Sequence, residues 1–193
     1  TSEFCLKHFG PRTYCIEGEG EATLVELLEA LEQQKDVHEV EGISYLNEAG
    51  LYTQTGPRKR IKNIDDLPYP AWDLVPLEAY LSSGSGFGVN KGRNMPIVAT
   101  RGCPYACSFC SNQRMWLQRW IFRDPKKVVD EMEHWIKTWS VNNFDFYDLT
   151  AIIRKEWIVA FCKEVVDRSL NVTWQLPSGT RSEAIDEEVA AWM

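Results

Sequence analysis

The sequence contains no long apolar run and no excess of basic residues. None of its apolar stretches approaches the ~18 consecutive residues that suggest a membrane-spanning helix. Acidic residues outnumber basic ones by 28 to 21, which gives a formal net charge of −7. A negative field of this kind disfavours binding to a nucleic-acid backbone, and the single basic cluster at 58–60 is typical of a solvated loop. We therefore expect neither membrane insertion nor a nucleic-acid partner.

The chain also lacks a signal-peptide pattern and any repeat of fixed period. Its six cysteines in 193 residues do not match the composition of a small, disulfide-stapled secreted domain. Its length suits one domain, or the end of one and the start of another. We expect a cytoplasmic protein with reduced thiols. The helical pattern that starts at Asp186 is still running at Met193, and we interpret the chain as a fragment of a longer protein.

Three of the cysteines form a C-x3-C-x2-C motif, at Cys103, Cys107 and Cys110. A cuboidal iron–sulfur cluster usually takes four cysteines, so this loop would leave one iron open to a small-molecule ligand. The alternatives are a zinc site and a disulfide. A closed structural zinc site needs four protein ligands, and the nearest histidine downstream, His134, falls on a predicted helix. The spacing therefore favours an iron–sulfur cluster over zinc.

This motif, with Phe109 directly before its third cysteine, resembles the cluster loop of the radical S-adenosylmethionine enzymes. The resemblance implies that the three cysteines hold a [4Fe-4S] cluster, whose fourth iron is chelated by the amino and carboxylate groups of S-adenosylmethionine. One electron passed to the sulfonium would then give methionine and a 5′-deoxyadenosyl radical. The resemblance also implies a small-molecule substrate and a reducing electron donor such as flavodoxin or ferredoxin.

Upstream of the motif the pattern predicts a strand, a tight turn and a helix. Residues 13–17 have a strand pattern and lead through the glycine-rich turn 18–21 into the helix. Four leucines at helical spacing would bury one face of that helix. They are Leu24, Leu27, Leu28 and Leu31.

A hairpin and a proline-rich connector are predicted next. The segments 42–46 and 51–54 flank a turn that ends at Gly50, and the prolines within 65–72 favour an extended connector. The turn at 18–21 resembles the close of the cobalamin-binding domain that precedes the radical domain in one large subgroup of these enzymes. In that subgroup a hairpin and a Leu-Pro-x-Pro-Ala-Trp linker of this kind join the two domains. The resemblance thus makes cobalamin a further candidate cofactor.

Strands and helices alternate from Asn94 onward, which predicts a parallel sheet. The fold class expected is α/β, with the first half of a partial (β/α) barrel of the radical type. It would be preceded by the carboxyl-terminal end of a Rossmann-like cobalamin-binding domain and by the hairpin and linker. The corresponding boundaries are 1–38, 39–93 and 94–193. Chemistry in such barrels takes place at the carboxyl ends of the strands, where the cysteine loop follows the first strand, predicted over 95–100.

Five further residues are candidate cofactor contacts. Phe109 would pack over the cluster or near the adenine, or belong to the core. Asp148 follows the second strand, where related enzymes meet the methionine amino group, and it could equally cap the next turn. Gln175, Ser178 and Arg181 follow the third strand and could bind a ribose or a carboxylate, Arg181 by its fork geometry. Cys162 lies on a helical apolar stripe and is interpreted as a buried small hydrophobe.

These observations leave two classes of function open. The first is a radical enzyme of the cobalamin-binding subgroup, catalysing methyl transfer, cyclisation or rearrangement at an unactivated carbon. The second is a non-enzymatic iron–sulfur electron-transfer or zinc-binding module. Half a barrel would shield a radical poorly from water, so the isolated fragment is expected to be inactive even if the parent protein is an enzyme.

Overall fold

The computed structural model describes residues 2–193, with every side chain in that range except that of Arg114. Two compact units divide the chain, one ending at Lys62 and one spanning Asn63–Met193. No helix in the described part of the chain is long and apolar enough to cross a membrane.

The first unit is a three-stranded antiparallel sheet with two helices. Its elements in chain order are α1 (Ser2–Phe9), β1 (Tyr14–Ile16), α2 (Gly20–Glu32), β2 (Ile43–Leu46) and β3 (Tyr52–Gln54). Strand β2 is central and pairs with both neighbours, Tyr45 lying opposite Tyr14 and Thr53. The predicted strand, helix and hairpin are all present.

The hairpin turn is shaped by the side chain of Asn47. Its Oδ1 accepts hydrogen bonds from the backbone amides of Ala49 and Leu51, each at 3.0 Å. Gly50 has a φ of 72°, a left-handed conformation that glycine adopts without strain. The turn residues therefore shape the hairpin that was predicted from the flanking strand pattern.

The face that α2 buries differs from the one predicted. Leu27 is buried as expected, but Leu24, Leu28 and Leu31 are 47%, 56% and 42% exposed. The buried stripe follows Thr23, Leu27 and Ala30 instead, and Leu27 and Ala30 pack in the small core of this unit. Residues four and three positions apart share a helical face, so the small Ala30 takes the place that the leucine pattern assigned to Leu31.

The second unit begins with the connector and contains the predicted parallel sheet. After short 3-10 turns at Ile64–Asp66 and Trp72–Leu74 its elements are α3 (Leu77–Ser83), β4 (Asn94–Ile97), β5 (Thr100–Gly102), α4 (Asn112–Met115), β6 (Trp120–Phe122), α5 (Pro125–Trp139), β7 (Asn143–Phe146), α6 (Lys155–Asp167), β8 (Thr173–Gln175) and α7 (Glu187–Trp192). Strands β4, β7 and β8 form a parallel sheet in that order. The predicted α/β class and the series of β-α units are confirmed.

One face of this sheet packs against the helices and carries the main core. Met95, Phe144 and Phe146 alternate along their strands and are fully or almost fully buried. Asp124 caps α5 by accepting from Lys126 N at 2.8 Å, and Pro125 occupies the first turn. Cys162 is 3% exposed within this core, in agreement with its interpretation as a small buried hydrophobe.

The first barrel strand is shorter than predicted. It ends at Ile97, and Thr100–Gly102 form a separate strand, β5, that pairs antiparallel with β6. The reason is Asp148, whose carboxylate accepts hydrogen bonds from the backbone amides of Ala99 and Thr100. These amides are therefore bound by a side chain, and the chain leaves the parallel sheet.

Candidate functional site

The cysteine loop is closed at its base by the β5–β6 ribbon. Gly102 lies opposite Trp120, so the two ends of the loop are held side by side. Gly102 has a φ of 79°, and a Cβ there would lie 2.1 Å from the backbone oxygen of Arg119. Only glycine permits this close approach of the two strands. The ribbon thus depends on the residue directly before Cys103.

Two amide side chains tie the loop together from inside. Asn112 Nδ2 donates to the backbone oxygen of Cys103 at 2.7 Å, and Gln113 Nε2 donates to that of Cys107 at 3.1 Å. Cys110 N also donates to the Cys107 oxygen, at 3.0 Å. Asn112 is 3% exposed, and among the described residues its Oδ1 has no hydrogen-bond partner. The loop backbone is therefore anchored on the residues that follow the motif.

The three thiols differ in their surroundings. Cys103 Sγ accepts a hydrogen bond from Thr150 Oγ1 at 3.4 Å, whereas Arg181 Nη2 lies 4.0 Å from Cys107 Sγ. Cys103 and Cys107 are partly buried, and Cys110 is exposed. In residues 2–193 no three histidine, cysteine or acidic side chains are close enough together to hold a metal ion. Three cysteines on one short loop are nevertheless the donor type that iron–sulfur clusters use, and their role as ligands stays a prediction.

Asp148 lies at the carboxyl end of β7 and is 2% exposed. Its carboxylate contacts the backbone amides of Ala99, at 3.2 and 3.3 Å, and of Thr100. Burial raises the pKa of this carboxyl to about 6, against the opposing effect of its hydrogen bonds. Asp148 therefore fixes the segment that leads into the cysteine loop, and its predicted contact with a methionine amino group stays a prediction.

The segment after β8 brings Arg181 to the cysteine loop. The guanidinium carbon of Arg181 lies 4.0 Å from the ring centroid of Tyr105, a cation–π contact with a residue inside the motif. Arg181 is thus placed next to the predicted cluster ligands by the tertiary structure, as the strand-end argument required. Ser178, on the same segment, is exposed.

Two of the other candidates are placed in contrasting surroundings. Phe109 is 91% exposed, so its interpretation as a core residue is wrong, and its role over a cofactor stays a prediction. The amide of Gln175 is engaged with Val89 and Asp145, its Nε2 donating to them at 2.7 and 2.6 Å. Gln175 thus contacts the loop between α3 and β4.

Sequence reasoning missed Asn112 and Thr150 as supports of the loop. Thr150 links several parts of the site, because its backbone oxygen accepts from Trp120 Nε1 at 3.0 Å and from Thr100 Oγ1 at 3.3 Å. Asn112 could have been suspected, since it stands two residues after the last cysteine. Thr150 gave no such signal, because its partners are 30 to 50 residues away.

Known proteins resemble this chain over most of its length. An uncharacterised methyltransferase of Pyrococcus horikoshii is 30% identical over 178 residues, which are 92% of this chain and 37% of the relative. An anaerobic magnesium-protoporphyrin IX monomethyl ester cyclase of Rubrivivax gelatinosus is 33% identical over 177 residues, which are 90% of this chain and 31% of the relative. The chain thus spans about a third of the length of these curated relatives. No protein-family model matches the sequence.

Solved structures share the fold. The cobalamin-dependent S-adenosylmethionine radical enzyme OxsB, with aqua-cobalamin and S-adenosylmethionine bound, superposes with a TM-score of 0.69 at 22% identity, covering 89% of this chain and 24% of OxsB. The radical S-adenosylmethionine methyltransferase TsrM of Kitasatospora setae gives 0.67 at 20% identity, covering 93% of this chain and 34% of TsrM. The chain thus shares the fold of cobalamin-dependent radical S-adenosylmethionine enzymes, and its sequence is similar to that of a methyltransferase and of a cyclase.

Proposed function

We propose that the whole protein is a radical S-adenosylmethionine enzyme whose [4Fe-4S] cluster is held by Cys103, Cys107 and Cys110. The observation that carries this proposal is the placement of the cysteine loop. It lies next to the carboxyl ends of β4 and β7, closed at its base by a ribbon that requires Gly102. That edge of a parallel β/α sheet is where active sites form.

The bound cluster and S-adenosylmethionine would together supply one-electron reductive cleavage of the sulfonium. The protein itself would supply the cysteine ligands, positive charge near the cluster and side chains that exclude water. Residues 101–123 contain four arginines and no acidic residue, in a chain whose net charge is −7. They are Arg101, Arg114, Arg119 and Arg123. Arg123 is paired with Asp65 and Glu131, so the positive charge that would stabilise a cysteine-held cluster comes from the other arginines of this segment.

Arg181 is proposed to bind the carboxylate of S-adenosylmethionine. Its guanidinium is already oriented by the Tyr105 ring and lies 4.0 Å from Cys107 Sγ. A guanidinium binds a carboxylate through two parallel hydrogen bonds, which fixes orientation as well as position. Exposed Ser178 would add a hydrogen bond from the same segment, and Phe109 would cover the cofactor and exclude water.

The reaction is proposed to be methyl transfer or cyclisation on a small molecule, with cobalamin as a second cofactor. The names of the relatives support both reaction types, since one is a methyltransferase and another a cyclase. The electron would come from a reduced flavodoxin or ferredoxin. A cytoplasmic setting would keep all six cysteines as the free thiols that the structure shows.

The test is anaerobic reconstitution of the full-length protein with iron and sulfide. We expect about four irons and four sulfides per chain, with an electron paramagnetic resonance signal that changes when S-adenosylmethionine is added. Cys107→Ala should lose the cluster, while Cys5→Ala, outside the motif, should keep it. Tightly bound zinc without iron, or a cluster signal indifferent to S-adenosylmethionine, would instead establish a non-enzymatic metal or electron-transfer module.

A further inference from the structure

The loop between α3 and β4 is held against the inner face of the parallel sheet. Alternate residues of the three strands point to this face, and all of them except Pro96 on β4 are polar. The polar ones are Asn94 on β4, Asn143 and Asp145 on β7, and Thr173 and Gln175 on β8. The opposite face carries the apolar core. The inner face is therefore a polar surface, and residues 86–89 lie against it.

Two side chains bind the backbone of this loop. Gly88 N donates to Asp145 Oδ2 at 3.2 Å, and Val89 N donates to Gln175 Oε1 at 3.1 Å. Gln175 Nε2 returns a hydrogen bond to Val89 O at 2.7 Å, so the side-chain amide pairs with the loop as a neighbouring strand would. The same Nε2 donates to Asp145 at 2.6 Å, so the two side chains form one connected binding site for the loop backbone. We call this pair, Asp145 and Gln175, the seat of the loop.

The carboxylate of Asp145 is fully used in hydrogen bonds around the seat. Asp145 is 1% exposed, and besides Gly88 and Gln175 its carboxylate accepts from Asn143 Nδ2 at 2.9 Å and Asn94 Nδ2 at 3.4 Å. A buried carboxylate is costly unless hydrogen bonds satisfy it. The loop amide supplies one of those bonds, so loop and seat stabilise each other.

The glycines of the loop are required by the closeness of this contact. A Cβ on Gly88 would lie 2.4 Å from Gln175 Nε2 and 2.9 Å from Asp145 Oδ1. A Cβ on Gly86 would lie 3.0 Å from Asp145 Oδ2. The small residues therefore let the backbone reach the seat, which explains a glycine-rich segment that is not a phosphate-binding loop.

The tip of the loop points to the end of the sheet where the cysteine loop lies. Phe87 N donates to Tyr147 Oη at 3.1 Å, and the two rings meet edge to face at 5.7 Å. Tyr147 directly follows β7, so this contact is at the carboxyl ends of the strands. Phe87 and Tyr147 are still 64% and 42% exposed. The tip thus presents an apolar surface at the carboxyl ends of the strands, beside the polar inner face of the sheet.

We propose that residues 86–89 form the floor of the reaction chamber. Asp145 and Gln175 are positioning residues that hold the floor, and Phe87 is the residue that faces the apolar part of the substrate. The inference rests on the proposed function and deepens it, because a reactive radical must be separated from water and polar hydrogens. Without the floor, the polar inner face of the sheet would be open beneath the substrate.

The seat is tested by hydrogen exchange in the full-length protein. In the wild type the amides of Gly88 and Val89 should exchange slowly, although the loop lies at the surface. Gly88→Ala and Asp145→Asn should each speed their exchange by about tenfold or more, the effect of losing one charge-assisted hydrogen bond. Gly56→Ala is the matched control, since nothing lies within 4 Å of a Cβ there. Unchanged exchange of the Gly88 and Val89 amides in both Gly88→Ala and Asp145→Asn would overturn the seat.

The floor is tested by coupling in the reconstituted enzyme. Phe87→Ser should leave exchange at Gly88 and Val89 unchanged. It should raise the ratio of 5′-deoxyadenosine released to substrate consumed by about threefold or more, because a poorly held substrate lets the radical take its hydrogen atom from C–H or S–H groups of the protein or the buffer. An unchanged ratio would overturn the floor. If the wild type itself cleaved no S-adenosylmethionine, the proposed function and the floor would both fail, while the exchange data would still decide the seat.

Discussion

The carboxylate of Asp148 accepts a hydrogen bond from the backbone amide of Thr100. The two residues are each 2% exposed, and they join the end of β7 to the start of β5. Since β5 is one strand of the ribbon that closes the cysteine loop, a single buried side chain links the parallel sheet to the candidate cluster site.

Asp148 should make stability fall as the pH rises from about 4 to about 7. Burial raises the pKa of Asp148 from 3.8 to about 6, so the folded state holds the proton more tightly than the unfolded state. The stabilisation is complete below the unfolded pKa and is lost as the pH rises through the folded one. At about 1.4 kcal/mol per pKa unit the loss is at most about 3 kcal/mol.

The measurement is urea unfolding of wild type and Asp148→Asn at several pH values. The difference in unfolding free energy, wild type minus variant, should decrease by up to about 3 kcal/mol between about pH 4 and pH 7. Other carboxyls titrate in both proteins and cancel in this difference. A constant difference across the range would show that Asp148 titrates as an ordinary exposed carboxyl does.

Gly102→Ala should abolish the closed base of the cysteine loop. A Cβ there would meet the backbone oxygen of Arg119 at 2.1 Å, and a backbone atom cannot move aside without separating β5 from β6. We expect a loss of at least about 3 kcal/mol in unfolding free energy and failure to retain iron.

The control is Gly179→Ala, which has a similar φ of 84° but open space around the added carbon. It should cost about 1–2 kcal/mol, the strain of a left-handed alanine alone. Iron and sulfide analysis with circular dichroism melting separates the two variants. Equal losses in both would show that φ, and not the contact with Arg119, decides the effect.

Arg123→Met should destabilise the second unit strongly. The guanidinium binds Asp65 at 3.1 Å and also pairs with Glu131, whose side chain is 4% exposed. Removing the cation leaves two largely buried carboxylates without a counter-charge, which costs about 3–5 kcal/mol. Unfolding free energies from urea titration measure the loss.

An exposed pair provides the comparison for Arg123. Lys137 bonds Glu133 at 2.8 Å one turn away on α5, with most of its side chain in solvent. Lys137→Ala should change stability by less than about 0.5 kcal/mol. If Arg123→Met also lost less than about 0.5 kcal/mol, the carboxylates of Asp65 and Glu131 would have to become hydrated when the arginine is removed.

Asn112→Ala should weaken the hold of the loop on the proposed cluster without unfolding the protein. Asn112 donates to the Cys103 oxygen at 2.7 Å from a buried position. Loss of one such hydrogen bond, worth about 1–1.5 kcal/mol, should make iron release to a chelator about tenfold faster. The exposed neighbour Ser111 is the control, and Ser111→Ala should release iron at the wild-type rate. Wild-type release from Asn112→Ala would show that the loop needs no such anchor.

Much of the fold could be predicted because its signals are local. The caps of α5, the apolar periodicity of α5 and α6 and the turn at Asn47 and Gly50 depend on residues a few positions apart. The α2 prediction failed for the opposite reason. Leucine periodicity shows that a helix can bury a face, but the sheet it packs against selects which stripe is buried, and here Ala30 fits where Leu31 does not.

The candidate site, like the fold, has features that local sequence predicts and features that depend on distant residues. Spacing alone identified the three cysteines, since ligands on one loop need no tertiary information to be near each other. It could not show that β5 leaves the parallel sheet, because that depends on Asp148 reaching residues 48 and 49 positions away. Nor could it show that Gln175 binds Val89, 86 positions upstream, through its side-chain amide.

The sequence by itself determined the donor chemistry and the α/β alternation, because both are written in residue types at short, regular intervals. The tertiary structure decided which polar groups meet. It brought Arg181 to Cys107, Thr150 to Cys103, and the glycines at 86 and 88 to a buried carboxylate. Such contacts follow from the packing of whole strands and helices, whose buried apolar faces fix where every attached loop must end.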